Sequence, residues 1–224
     1  ADGAPLVASV ESSLQRLDTD YVDIMQFHGL HVGQYHEAVK RFYPTMKQLQ
    51  QDGKVRFIGF SEPYPGNSDP KQDTTALALT THPELWDTIM LKYGILNQYA
   101  AKEALPLAAE HNVGIINMAA VRVKLPDPGL LKELIADWKT RGVIPADSLP
   151  AKDPLGWLVH DGVGSVIGAG YKFAAGHPAV STVLTGTANI EHLDSNAAAL
   201  DEPRLPDVDG RRVVELFSHI AEYA

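Results

Sequence analysis

The stretch DYVDIMQFHGL, residues 20–30, carries an apolar run that ends in Gln26, Phe27 and His28 and breaks at Gly29. An imidazole at the last position of a buried strand has two readings. One is a boundary histidine, half-buried and hydrogen-bonded. The other is a catalytic group, because strand ends of an α/β sheet or barrel are where reacting side chains stand. His28, His31 and His36 also form an H-x2-H-x4-H pattern around Gly29 and Gly33. Zinc takes imidazole ligands, but no acidic or cysteine ligand stands at a firm spacing, and no metal is expected. In VGSVIGAG, Gly164, Gly168 and Gly170 interrupt a helical pattern. A phosphate loop needs its glycines between a strand and a helix, so these read as sites of close packing. Arg211 and Arg212, at the start of a terminal helix, read as a solvated face. Trp86, Trp138 and Trp157 have no basic stripe beside them, which argues against base stacking.

These residues need elements to position them. PLVASVESSLQRL places Val7, Val10, Leu14 and Leu17 at spacings of three and four, an amphipathic helix. DYVDIMQF follows as a strand. YPTMKQLQQDG reads as a helix, with Pro44 in its first turn and Gly53 at its end. KVRFIGFS is a second strand, TTALALTTHPELW a helix and DTIMLKY a third strand. AKEALPLAAEHN is a helix and VGIINMAAV a fourth strand. A longer helical region runs from about Pro128 to Gly176, interrupted by GVIPADSLPAKDP. AVSTVLTG is a fifth strand, NIEHLDSNAAAL a helix capped by Asn189, and GRRVVELFSHIAEYA a terminal helix. Strands alternating with helices at roughly 30-residue intervals indicate βαβ units and a parallel sheet. The strands are apolar throughout, which predicts cover on both faces. SEPYPGNSDPKQD, residues 61–73, is the one long polar loop. Because it follows a strand, it belongs on the active-site face.

The 224 residues include 45% hydrophobic and 21% charged side chains, enough for one large domain with a real core. The net charge of -9 argues against nucleic acid and anionic membranes as partners, and mildly against a strongly anionic substrate. No apolar stretch approaches a membrane span. There is no cysteine, hence no disulfide or thiolate chemistry. The opening ADGAPL has neither an initiator Met nor a signal-like run, so the chain is expected to begin elsewhere than at a translation start.

The order of pieces resembles the aldo-keto reductase family. SVESSLQRLDTDYVDIMQFH is similar to the helix and fourth barrel strand of that family. MKQLQQDGKVRFIGFSE is similar to its L-x-x-L-x-x-x-G-K-V-R-x-I-G-x-S-N motif. LKYGILNQ, EALPLAAEHNVGIINMA and VSTVLTGTANIEHLDSNAAAL match the next three units in order and spacing. The resemblance covers nearly the whole chain. It implies an α/β fold of the (β/α)8 TIM-barrel type, residues 1–224 forming a single, partial barrel domain with about five of the eight parallel strands. It implies a cytoplasmic oxidoreductase that uses NADP or NAD to interconvert carbonyl and alcohol on small aldehydes, ketones or sugars.

Site residues carry over one at a time. His28 falls on the family's catalytic histidine, which points at the substrate carbonyl. There an imidazole can donate a hydrogen bond to the carbonyl oxygen as hydride arrives at carbon. Ser61 matches the serine that holds the nicotinamide carboxamide, with Glu62 where Asn is usual. Met90 stands where many members have Gln, and Met118 where many have a ring-stacking Tyr. Gly186 and Thr187 fall at the phosphate-binding turn. His192 replaces an Arg that often grips the NADP 2′-phosphate, and Asn196 matches an adenine contact.

The family's Tyr, Lys and Asp come from strands before the one ending in His28. About 90 residues and three strands of a complete barrel are therefore expected to lie outside this sequence. Tyr21 reads as packing and Asp23 as strand-end polarity. The first and last strands would be open edges, to be covered by the preceding segment or by a partner chain. The alternative is a non-catalytic binding or regulatory protein that has lost the chemistry.

Overall fold

The computed structural model describes residues 3–63, 73–202 and 204–221. Residues 64–72 of the polar loop, and 222–224 of the terminal helix read from the sequence, lie outside the described residues. The strands are β1 (Val22–Phe27), β2 (Val55–Ser61), β3 (Thr88–Lys92), β4 (Gly114–Met118) and β5 (Val180–Val183). They form one sheet in the order β1-β2-β3-β4-β5, every neighbouring pair parallel. The helices are α1 (Ala4–Leu17), α2 (Tyr35–Gln51), α3 (Thr74–Thr81), α4 (Ala104–Glu110), α5 (Pro128–Thr140), α6 (Val166–Ala175), α7 (Ile190–Asp201) and α8 (Asp207–Phe217). Each parallel pair needs a crossover, and the helices supply them.

One face of the sheet is sealed. Ile58, Phe60, Ile89, Leu91 and Ile115 are essentially inaccessible and belong to the main core with Met46, Leu49, Leu79, Leu105 and Trp138. Side chains alternate along a strand, so the residues between them line the other, concave face. Here the sequence expectation of strands covered on both faces fails. Ile24 and Phe57, paired in register, are 41% and 44% exposed. β1 and β5 contain no fully buried residue among those described. Tyr21, read as packing, is exposed, with the Arg56 guanidinium 6.0 Å from its ring centre. Asp23 forms a 2.5 Å ion pair with Arg56.

Helix boundaries show where tertiary contacts override local signals. α2 begins eight residues before Tyr43, so Pro44 lies inside it rather than in its first turn. An interior proline removes one helical hydrogen bond. The extra turns are anchored by Tyr35, whose hydroxyl accepts from Trp86 Nε1 at 3.2 Å and lies 3.2 Å from His82 Nδ1. α3 stops at Thr81, before Pro83, where the sequence pattern runs on to Trp86. In α6, Ser165 caps the N-terminus through Gly168 N–H. A Cβ on Gly170 would come within 2.7 Å of Val121 Cγ1 and 2.9 Å of Leu125 Cδ1, so this glycine serves close packing as read, whereas Gly164 precedes the helix and has open space where a Cβ would stand.

Candidate active site

Register fixes which residues share a level on the concave face. Gln26 pairs with Gly59, Ser61 with Met90, Met90 with Ile116, and Lys92 with Met118. His28 follows β1 directly, and Gly29 turns the chain with φ of +64°, a conformation that costs a side-chain-bearing residue. The turn is pinned to β2. Gly29 N–H donates to Ser61 Oγ at 2.9 Å, and Leu30 N–H donates to the Ser61 carbonyl at 2.8 Å. Ser61 is buried and His28 exposed, so the serine sets the turn that presents the imidazole.

His28, Ser61 and Met118 therefore stand at the C-terminal ends of their strands. Met90 sits two residues short of the end of β3, level with Ser61. Gly186 lies three residues beyond β5, in the turn before α7, with open space where a Cβ would stand. In that turn Thr187 Oγ1 accepts from Asn189 N–H, and Asn189 Oδ1 accepts from Glu191 N–H to cap α7. His192 is exposed one residue further along α7. Asn196 is buried, its amide donating to Thr185 Oγ1 at 2.7 Å.

Glu62 does something the family pattern does not anticipate. Its Oε1 accepts from Thr75 N–H at 3.0 Å and from Thr75 Oγ1 at 2.6 Å, at the start of α3. Desolvation, then the nearby Asp73 carboxyl, push the Glu62 pKa up to about 8. Asp73 is raised as well, by desolvation first, while its Oδ1 caps α3 through Ala76 N–H. The carboxyl of Glu62 thus ties the end of β2 to α3.

Two features escaped the sequence reading. Lys92 ends β3 on the concave face and is 6% exposed. Burial, then Arg122 and Lys124, hold its amine down to about 8. The signal was present as a lone charge inside the apolar run IMLKY. The second is Asn117, fully buried on the helix-facing side of β4. Its Nδ2 donates to the Tyr93 carbonyl at 2.8 Å, and its Oδ1 accepts from Tyr93 N–H at 3.3 Å. This amide clamp satisfies the backbone where β3 ends. Among the described residues no cluster of metal ligands forms, and His28, His31 and His36 do not assemble one. A cavity of about 700 Å³ lies elsewhere, between α6 and α8, lined by Phe173, His177, Arg204, Arg211 and Val214.

A parallel β/α sheet with its polar groups gathered at the C-terminal strand ends is the arrangement of a β/α-barrel enzyme. The model of the Aldo/keto reductase family matches residues 4–217, and the chain belongs to that family. L-galactose dehydrogenase of Arabidopsis thaliana is 27% identical over 203 residues, covering 87% of this chain and 57% of its own length. NADH-specific methylglyoxal reductase of Escherichia coli is 32% identical over 104 residues, 46% of this chain and 29% of its own. The aldo-keto reductase AKR11C1 of Bacillus halodurans superposes with a TM-score of 0.63 at 23% identity, covering 94% of this chain and 67% of that one. That likeness shows the fold, whose solved neighbours are (β/α)8 barrels. The chain spans 57% and 61% of the length of two curated relatives that it matches over most of its own residues. No helix among the described residues is long and apolar enough to cross a membrane.

Proposed function

We propose that residues 1–224 act as a single, partial β/α-barrel domain of an oxidoreductase that interconverts carbonyl and alcohol on small aldehydes, ketones or sugars with NADP or NAD. The observation that carries this reading is the convergence of His28, Ser61, Met90 and Met118 on the concave face, toward one end of the sheet, within a chain of this family. His28 is exposed there and aimed by the Gly29 turn. Its imidazole donates a hydrogen bond to the carbonyl oxygen and stabilises the charge that develops on it.

The residues present fit a nicotinamide dinucleotide in part. Met90 and Met118 offer polarisable side chains, partly exposed, against which a flat ring can lie. The turn at Gly186 and Thr187 opens the 12-residue helix α7, whose N-terminus favours a phosphate without a charged side chain. Ser61 holds the strand end beside them, and Glu62 takes the place of a neutral amide. His192 and Asn196 complete the α7 contacts, Asn196 through its carbonyl oxygen, since its amide is given to Thr185. A bound nicotinamide supplies the hydride. The proton comes from an acid outside this sequence, on a segment or partner chain that also pairs the free edges of β1 and β5.

Steady-state reduction of a panel of small aldehydes and aldoses tests the reading. The chain completed by three preceding β/α units is expected to turn over. The 224-residue chain alone is expected to lack enzymatic turnover, because general acid catalysis is typically worth about 10²- to 10⁴-fold. Failure of the completed chain on every substrate would overturn it.

A further inference from the structure

The segment that leads into α6 is folded back on itself. Gly156–Leu158 forms a single 3-10 turn. His160 and Val163 then exchange backbone hydrogen bonds, His160 N–H donating at 3.2 Å and its carbonyl accepting at 2.8 Å. Gly162 makes the turn between them with φ of +88°, a conformation that glycine adopts without strain. Two side-chain contacts fasten this hairpin to α8. The Arg212 guanidinium stands 4.1 Å from the ring centre of Trp157. His160 Nε2 stands 2.7 Å from Asp209 Oδ2.

The second ring nitrogen is also engaged. His160 Nδ1 lies 3.0 Å from the carbonyl oxygen of Asp161. A carboxylate and a carbonyl can only accept, and a neutral imidazole has one N–H to give. The neutral ring therefore serves one partner and turns a lone pair toward the other, whereas the imidazolium serves both. Asp209 is 7% exposed, so a lost partner leaves a buried carboxylate short of a hydrogen bond. The charged groups facing the ring are Asp209 from α8 and Asp161 from the hairpin, while Arg212 is held over Trp157. The hydrogen bond to Asp209, then that to the Asp161 backbone, raise the imidazole above its ordinary 6.5.

The hairpin also encloses space. Gly162, Gly164 and Ser165 form one wall of a cavity of about 520 Å³, and Gly168 and Lys172 of α6 with Ser195 and Ala199 of α7 form others. We propose that His160 and Asp209 are a pH-operated latch, which holds the hairpin on α8 as a wall of this cavity while the imidazole is protonated. The latch is fully engaged below the ordinary imidazole value and is lost as pH rises through the raised one. It is independent of the carbonyl reading.

Two NMR measurements on the 224-residue chain test it. The first is titration of the His160 ring, with a midpoint expected above 6.5 and lowered in Asp209→Asn. The second is amide exchange from about pH 6 to about pH 9, expressed relative to an unstructured peptide so that the chemistry of exchange cancels. Protection at Val159, His160 and Val163 is expected to fall at least about threefold as pH rises, the share of a partly exposed ion pair. In His160→Gln the side-chain amide still donates to Asp209 but does not titrate, so protection there should be flat with pH. Thermal melts show that both variants fold. A midpoint at or below 6.5 in the unmodified chain overturns the latch without recourse to a variant. So does a midpoint that Asp209→Asn leaves in place. Hairpin protection that is flat in the unmodified chain, or that falls equally in His160→Gln, overturns it as well.

Discussion

The two faces of the sheet use the same strands for opposite ends. On the helix-facing side, Ile58, Phe60, Ile89, Leu91 and Ile115 are closed off, and even the polar Asn117 is hydrogen-bonded to the backbone of Tyr93. On the concave side, Ile24 and Phe57 stay open to solvent, while His28, Ser61, Met90, Lys92 and Met118 stand toward the C-terminal ends. Alternation places these two sets one residue apart. The sealed set carries the stability of the fold, and the open set holds the side chains of the proposed site. Substitutions on the two faces should therefore separate into different assays.

The largest effect belongs to the sealed face. Leu91→Ala or Ile115→Ala removes a fully buried side chain and is expected to cost about 2–5 kcal/mol of stability. Denaturant unfolding measures it. A loss below about 1 kcal/mol would mean that this face is less tightly packed than its burial implies.

On the open face the strongest expected effect is kinetic. In the completed chain, His28→Ala should lower kcat/KM by about 10- to 1,000-fold, in the range of single oxyanion donors. Stability and cofactor affinity should hardly change, because the side chain is exposed. Full activity of His28→Ala would return this histidine to a boundary role.

Lys92 should show the reverse sign in stability. Its folded pKa lies near 8, below the usual 10.5. Between those values the unfolded chain binds more protons than the folded one, so stability rises with pH across that window. Below about pH 8 both states are protonated and the penalty is complete, up to about 3 kcal/mol. Lys92→Met is therefore expected to melt higher at neutral pH and to lose the rise between pH 8 and 10.5. A destabilised Lys92→Met would show that packing around the amine outweighs its charge.

Glu62 supplies a slope of opposite sign. Its folded pKa near 8 exceeds the ordinary 4.5. The folded chain holds the extra proton between those values, so this group's contribution falls as pH rises from about 4.5 to 8. The raised carboxyl of Asp73 acts in the same direction. Glu62→Gln keeps an acceptor for Thr75 and should flatten this part of the stability profile. A slope unchanged in Glu62→Gln would assign it to other groups.

Near zero stands Phe57→Thr. The side chain is 44% exposed, and the stability change of the 224-residue chain should stay within about 0.5 kcal/mol. In the completed barrel the same substitution should cost several times more, because the preceding segment would bury that ring. Equal costs in both would indicate that nothing covers the concave face.

Much of this was legible in the residues themselves. Short continuous apolar runs separated by amphipathic stretches set five strands among helices, because a chain must bury its apolar segments in that rhythm. The strand-end position of His28 and the serine ending KVRFIGFS followed from the same pattern. The extra turns of α2, by contrast, depend on Tyr35 meeting His82 and Trp86, about 50 residues away in sequence, and Pro44 gave the opposite local signal. Nor do neighbouring residues reveal that the carboxyl of Glu62 is taken up by Thr75, or that Arg122 and Lys124 come to lie beside Lys92. The order of elements was thus determined by the sequence alone, since it rests on local periodicity, and the likeness to the family rested on motifs matching in order and spacing. The exposure of one sheet face and the charge states of Glu62 and Lys92 were decided only by tertiary structure. Burial and Coulomb interaction depend on distances through space, which the linear order of residues does not contain.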